Sequence, residues 1–220
     1  MSNPIKYTLK SEWPSLAMIL GIIIFSAIVY PGLSDKIASH WNFAGQVDGW
    51  SNKNFMICFF PGLIIFMYAL MSIMPNIDPK KDSYTGFATT YNNFKNLLVG
   101  VLSLIYVITI LVNLGYNINI SKIISLIIGT MLIVIGFMLK NIKSNWFIGI
   151  RTPWTMSSTV VWEKTHQASV YFFGFLGLSL IATPYLPNPW NIIIFTLGIL
   201  QMIGGTIIYS YFIYKKELKK

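Results

Sequence analysis

Apolar residues along this chain fall in long unbroken runs, and the polar residues are gathered between them. Six runs are long enough to cross a hydrocarbon core as helix, which takes about 17 to 25 residues. They cover approximately 13–30, 55–74, 97–114, 120–139, 168–186 and 190–214, the fifth ending near Pro184 and Pro187. All are too continuous for the alternating strands of a membrane barrel, and backbone in lipid must satisfy its hydrogen bonds within the segment, which leaves helices. The pattern predicts an all-α integral membrane protein, a six-helix transmembrane bundle forming one domain over residues 1–220. The first run follows Lys6 and Lys10 as a secretory signal would, but Ser26-Ala27-Ile28-Val29-Tyr30 offers no small-x-small cleavage pattern, so it is read as a retained span.

Composition agrees. Of 220 residues 55% are hydrophobic and only 10% charged, with a mean hydropathy of +0.62, too few charges to clothe a water-soluble core. The net charge of +9 raises nucleic acid as a partner. Arg151 is the sole arginine, however, and the lysines sit in small groups beside apolar runs, without a basic face interleaved with aromatics. Direct nucleic-acid binding is therefore not expected. A lone Cys58 inside an apolar run permits neither an intrachain disulfide nor a thiolate cluster and reads as a small hydrophobe. No cofactor is implied by any motif.

Cytoplasmic segments retain Lys and Arg, and with an inside amino terminus only Lys36, Lys53 and Lys122 of the 16 basic residues fall outside. Lys80, Lys81, Lys95, Lys140, Lys143, Arg151, Lys164 and the terminal lysines, Lys220 among them, then face the cytoplasm, as do both termini. With these span boundaries no ionisable residue lies near the middle of a span, which argues against ion-coupled pumping. Gln201, the most polar mid-span residue, is expected to bond between helices, and Ser125, Gly129, Gly204 and Gly205 to allow close helix packing.

Candidate chemistry gathers in two long connections, where scaffold loops are normally a handful of residues. The outer loop, 31–54, is compact and amphipathic. Gly45 and Asp48-Gly49 are turn signals, and Trp41, Phe43 and Trp50 suit the headgroup zone. His40 with Asp48 offers two ligands where zinc wants three or four, so no metal is expected. Its candidate binding residues are His40, Trp41, Asn42, Gly45, Asp48, Gly49, Trp50 and Lys53.

The inner loop, 141–167, carries a denser signal. Pro153 biases Thr152 away from helix, and Thr155, Ser157 or Ser158 can cap a helix leading into the fifth span. Such a helix places Thr159, Trp162, Glu163 and His166 on one stripe, with Arg151 just ahead of it. Two readings stand. In one, Trp146, Trp154 and Trp162 form an interfacial belt while Arg151 reaches lipid phosphate or pairs with Glu163. In the other, Arg151 holds a carboxylate or phosphate bidentately in a pocket walled by the tryptophans. Asn145, Trp146, Gly149, Arg151, Thr152, Pro153, Trp154, Thr155, Trp162, Glu163 and His166 are the candidates. Ser157 or Ser158 with His166 lacks an elbow motif and a well-placed orienting acid, so catalysis is not expected.

His40-Trp41-Asn42, Gly45 and Val47-Asp48-Gly49-Trp50 with Lys53, and then Asn145-Trp146, Gly149-Ile150-Arg151-Thr152-Pro153-Trp154-Thr155, Trp162 and Thr165-His166, together resemble the two motifs of the SdpI family. The resemblance covers the whole six-span plan and is most specific in the inner motif. It implies a bacterial plasma-membrane protein giving immunity to a secreted toxic peptide. For some members it also implies signalling, in which the occupied protein captures a cytoplasmic repressor. A transporter or flippase for an amphiphilic peptide or lipid is the competing reading, ahead of a membrane-embedded enzyme. Membrane lipid is a partner in every case.

Overall fold

The computed structural model describes residues 4–42 and 45–219. Phe43, expected in the headgroup zone, and Lys220, counted among the cytoplasmic lysines, lie outside the described residues. Among these residues six helices are long and apolar enough to cross a membrane: α1 (Leu9–Val29), α2 (Lys53–Ile77), α3 (Ala88–Asn113), α4 (Ile120–Leu139), α6 (Thr159–Ala182) and α7 (Trp190–Glu217). A five-residue helix, α5 (Pro153–Ser157), precedes α6. The predicted spans are all present. Two begin well ahead of where hydropathy alone starts them: α3 takes in Lys95, and α6 starts at Thr159 because Ser158 caps it, its hydroxyl accepting the Val161 N–H.

One compact unit comprises residues 7–72 and 95–127. Thr8 and Ser11 form a capping box that starts α1. Its core gathers Ile22, Leu33, Ile37, Met56, Ile64, Val99, Tyr106 and Ile110. The Tyr106 ring stacks on Phe60 and meets Phe25 edge-on, while its hydroxyl lies 2.8 Å from Ser26 Oγ. The outer loop contributes the only strands among the described residues, β1 (Lys36–Trp41) and β2 (Val47–Asn52), paired antiparallel.

The second unit comprises residues 4–6, 73–94 and 128–219 of the described chain. Here α4 and α6 touch backbone to backbone. A Cβ on Gly129 would stand 2.6 Å from the Gly177 carbonyl oxygen, and one on Gly177 2.5 Å from that of Gly129. Small residues are what permit helices to approach this closely in lipid, where apolar burial between helices gives little driving force. Gly205 likewise accepts the Phe172 ring, but Gly204 has nothing within 4 Å of where its Cβ would be. The expectation for Gly204 is thus corrected: it is next to the contact and turned away from it. Gln201 differs too, since its Oε1 is buried without a hydrogen-bond partner where an interhelical bond is expected.

Several hydroxyls in the spanning helices return to their own backbone. Ser26, Thr109, Ser179, Thr183, Thr206 and Ser210 each donate to a carbonyl three or four residues earlier. This satisfies them without water.

Candidate functional site

The outer loop is a hairpin closed by bonds between Asn42 and Gln46. Gly45, at φ +78°, donates its N–H to the Asn42 carbonyl, and the Asn42 side chain accepts the Gln46 N–H. Asp48-Gly49, expected as a turn, lies instead inside β2. There Gly49 pairs with His40 at a bulge, and a Cβ on Gly49 would come 2.8 Å from that of His40. The bulge sets His40 Nδ1 2.5 Å from Asp48 Oδ1, both side chains open to the surroundings. Trp41 pairs with Val47 and Trp50 is 64% exposed. Lys53 anchors the base of the hairpin: Nζ lies 3.1 Å from Asp35 and 3.2 Å from the Leu33 carbonyl. Asn113 at the end of α3 clamps β1, accepting the Ala38 N–H and donating to the Ala38 carbonyl. These residues form a braced hairpin, with Trp50, His40 and Asp48 on its accessible surface.

The inner loop is built differently, because Asn145, Thr155 and His166 are buried and bonded to backbone groups. Wholly buried Asn145 accepts the Phe147 and Ile148 N–H groups and donates to the Lys143 and Ile148 carbonyls. Asp78, just beyond α2, accepts the N–H of Trp146 and of Lys80 and the hydroxyl of Tyr84. Burial, and then the bond to Asp78, push the Tyr84 phenol up from its ordinary value of 10.0. The sign follows: with the folded value raised, Tyr84 supports the fold below pH 10.0 and its contribution is lost as pH climbs further. Alkaline titration should therefore unfold the protein, and Tyr84→Phe should flatten that response; a pH profile identical to wild type would detach Tyr84 from it.

His166 is fully buried and stacks on Trp162 at 4.0 Å. The Ile150 N–H can only donate, so Nε2 accepts it at 3.0 Å, and the ring proton resides on Nδ1, donating to the Trp162 carbonyl at 2.8 Å. Trp162 in turn donates Nε1–H to the Ile142 carbonyl. Gly149 passes over this pair at φ +120°, where a Cβ would lie 2.5 Å from His166 Nε2. Thr152 and Thr155 close a capping box on α5 with Pro153 at its first turn, and the Thr152 hydroxyl reaches Ser210 of α7 at 3.0 Å. Trp154 packs edge-on against Tyr211, and Ser158 donates to Glu217 at 2.7 Å.

Arg151, which donates from Nη1 to the Trp146 carbonyl, is accessible, as are the half-exposed Trp146 and the charged Lys143 and Glu163. Glu163 lies 3.4 Å from Lys143, which makes Lys143 its partner rather than Arg151. The three tryptophans are separated: Trp162 is core, Trp154 packs on α7 and Trp146 faces outward. Ser157 donates to the Trp154 carbonyl, so neither serine hydroxyl is directed at His166, whose two nitrogens are both committed.

Sequence reasoning misses one cluster altogether. Lys95, assigned to an inner loop, is completely buried in α3 and meets Glu12 of α1 at 2.7 Å. Tyr68 also donates to Glu12, and the ammonium lies over the Tyr7 and Tyr68 rings at 4.6 and 5.1 Å. The available signal was a Glu and a Lys of opposite charge flanking two predicted spans.

Comparison with known proteins matches both loop regions. Residues 17–65 match a domain of unknown function (DUF1648), and residues 141–210 match the SdpI/YfhL protein family. The immunity protein SdpI of Bacillus subtilis (strain 168) is 26% identical over 208 residues, covering 94% of this chain and 98% of that protein. No solved structure matches the chain. With a family match spanning the arginine motif, similarity reaching nearly end to end and six helices of membrane-crossing length, the chain is a multi-pass bacterial membrane protein similar to the SdpI/YfhL family.

Proposed function

We propose that this protein is a membrane immunity protein, protecting the cell that carries it from a secreted toxic peptide by binding rather than catalysis. The observation that carries the reading is the end-to-end similarity to a protein named for immunity. In this reading the braced hairpin faces outward and takes part in recognising the peptide or its lipid target, while the inner loop faces the cytoplasm. Arg151 is the inner loop's recognition group. Its neighbours Asn145, Thr152, Thr155 and His166 are buried and hold the loop's shape, whereas its guanidinium stays accessible and suits a carboxylate or phosphate of a cytoplasmic partner such as a repressor protein.

Expression in a toxin-sensitive bacterium should raise survival; unchanged killing at normal membrane levels would end the reading for that toxin. Arg151→Lys should lower signalling or protection roughly tenfold, because a point charge cannot reproduce a planar fork. Wild-type behaviour of that variant returns Arg151 to the role of lipid anchor. Orientation is tested by a cysteine at Ser157 in a Cys58→Ser background, which should resist impermeant thiol reagents in intact cells.

A second reading, a flippase for an amphiphilic molecule, draws support from the buried Glu12–Lys95 pair, since ionisable groups inside spanning helices mark transport paths. Ligand flux into liposomes would favour it, and tight binding without flux would remove it.

A further inference from the structure

A cleft of about 440 Å³ opens in the second unit, and its chemistry is not used by the immunity reading. Lys80 and Asp82 reach it from the turn after α2, Lys143 and Ser144 from the segment after α4, and Glu163 from the first turns of α6, over a floor made by Trp162. Because α2, α4 and α6 are each long and apolar enough to cross a bilayer, the ends that meet here stand at headgroup level.

We propose that this cleft holds the headgroup of a zwitterionic phospholipid bearing a phosphate and a primary ammonium, of the phosphatidylethanolamine type. Two lysines and two carboxylates line one small space, so a purely anionic headgroup meets the carboxylates and a purely cationic one meets the lysines. A phosphate set against Lys80 and Lys143, with an ammonium against Asp82 and Glu163, satisfies all four. The resident pairing is easily opened: Lys143 and Glu163 are 3.4 Å apart with both side chains more than half exposed, and such ion pairs are weak. Lys80 is steadied by Ser144 at 2.8 Å and keeps further N–H donors. A methylated ammonium fits less well. It needs several aromatic walls, whereas here Trp162 is the single ring lining the cleft and is stacked on His166.

The test takes the full chain from vesicles of equal parts acyl-matched phosphatidylethanolamine, phosphatidylglycerol and phosphatidylcholine, and counts retained lipids by native mass spectrometry. Retention of phosphatidylethanolamine should exceed that of the other two by about tenfold, the worth of one charge-assisted contact. Lys143→Gln with Glu163→Gln, and separately Asp82→Asn, should bring it to the bulk ratio. All three residues are exposed, so the variants keep the fold. Equal retention of the three lipids, or an unchanged preference in both variants, would each overturn the assignment. Toxin protection does not enter this readout, so the result stands apart from the immunity reading.

Discussion

Lys95→Met is expected to destabilise the protein by about 3–5 kcal/mol, the usual consequence of leaving one member of a buried ion pair alone. Lys95 is completely buried, and its removal strands the Glu12 carboxylate with the Tyr68 hydroxyl and Ser11 as its remaining partners. Adding Glu12→Gln should recover most of the loss. The neutral pair forfeits the attraction but also avoids removing two charges from water, and the two terms are of similar size. Thermal unfolding in mild detergent reads both: the single variant should melt well below wild type and the double variant close to it. A single variant as stable as wild type would mean that the pair holds nothing together.

The second large effect is at Gly149. Alanine there must adopt φ +120° and place its Cβ 2.5 Å from His166 Nε2 and 3.0 Å from the Trp162 ring. His166 cannot yield, because the bonds to Ile150 and to the Trp162 carbonyl fix both ring nitrogens. Strain and clash together should cost about 3 kcal/mol. Gly174→Ala is the matched control, since a Cβ there meets nothing within 4 Å, and in a helix alanine is the better residue. The first variant should lower the melting temperature and shift tryptophan emission; the second should leave both in place or raise the melting temperature slightly. Equal behaviour of the two would show that the turn over His166 is looser than its geometry indicates.

The helices were legible because lipid makes length and apolarity nearly sufficient: a run that must satisfy its own backbone has little choice but helix. Boundaries were harder where a helix continues into polar sequence. Hydropathy drops before Lys95 and before Ala168, yet α3 and α6 run on, because a buried partner at Glu12 and a cap at Ser158 support the extra turns. The inner motif was recognisable by its residue types, but not the division of labour within it. Asn, Thr, His and Trp are as suited to holding a loop as to holding a ligand, and only burial separates Asn145, Thr155, Trp162 and His166 from accessible Arg151. The Asp48-Gly49 turn failed for a related reason. That dipeptide also suits a bulge, and its role is decided by the close approach of His40 across the hairpin.

The bond from Ser158 to Glu217 gives the carboxyl-terminal tail a use beyond solubility. The last turn of α7 is a clasp on the hinge between α5 and α6, so the tail and the arginine loop cannot be edited independently. A fusion partner that unwinds the chain after Tyr214, or a protease that trims it there, loosens the loop without touching it. An epitope placed at the other terminus leaves the clasp fastened.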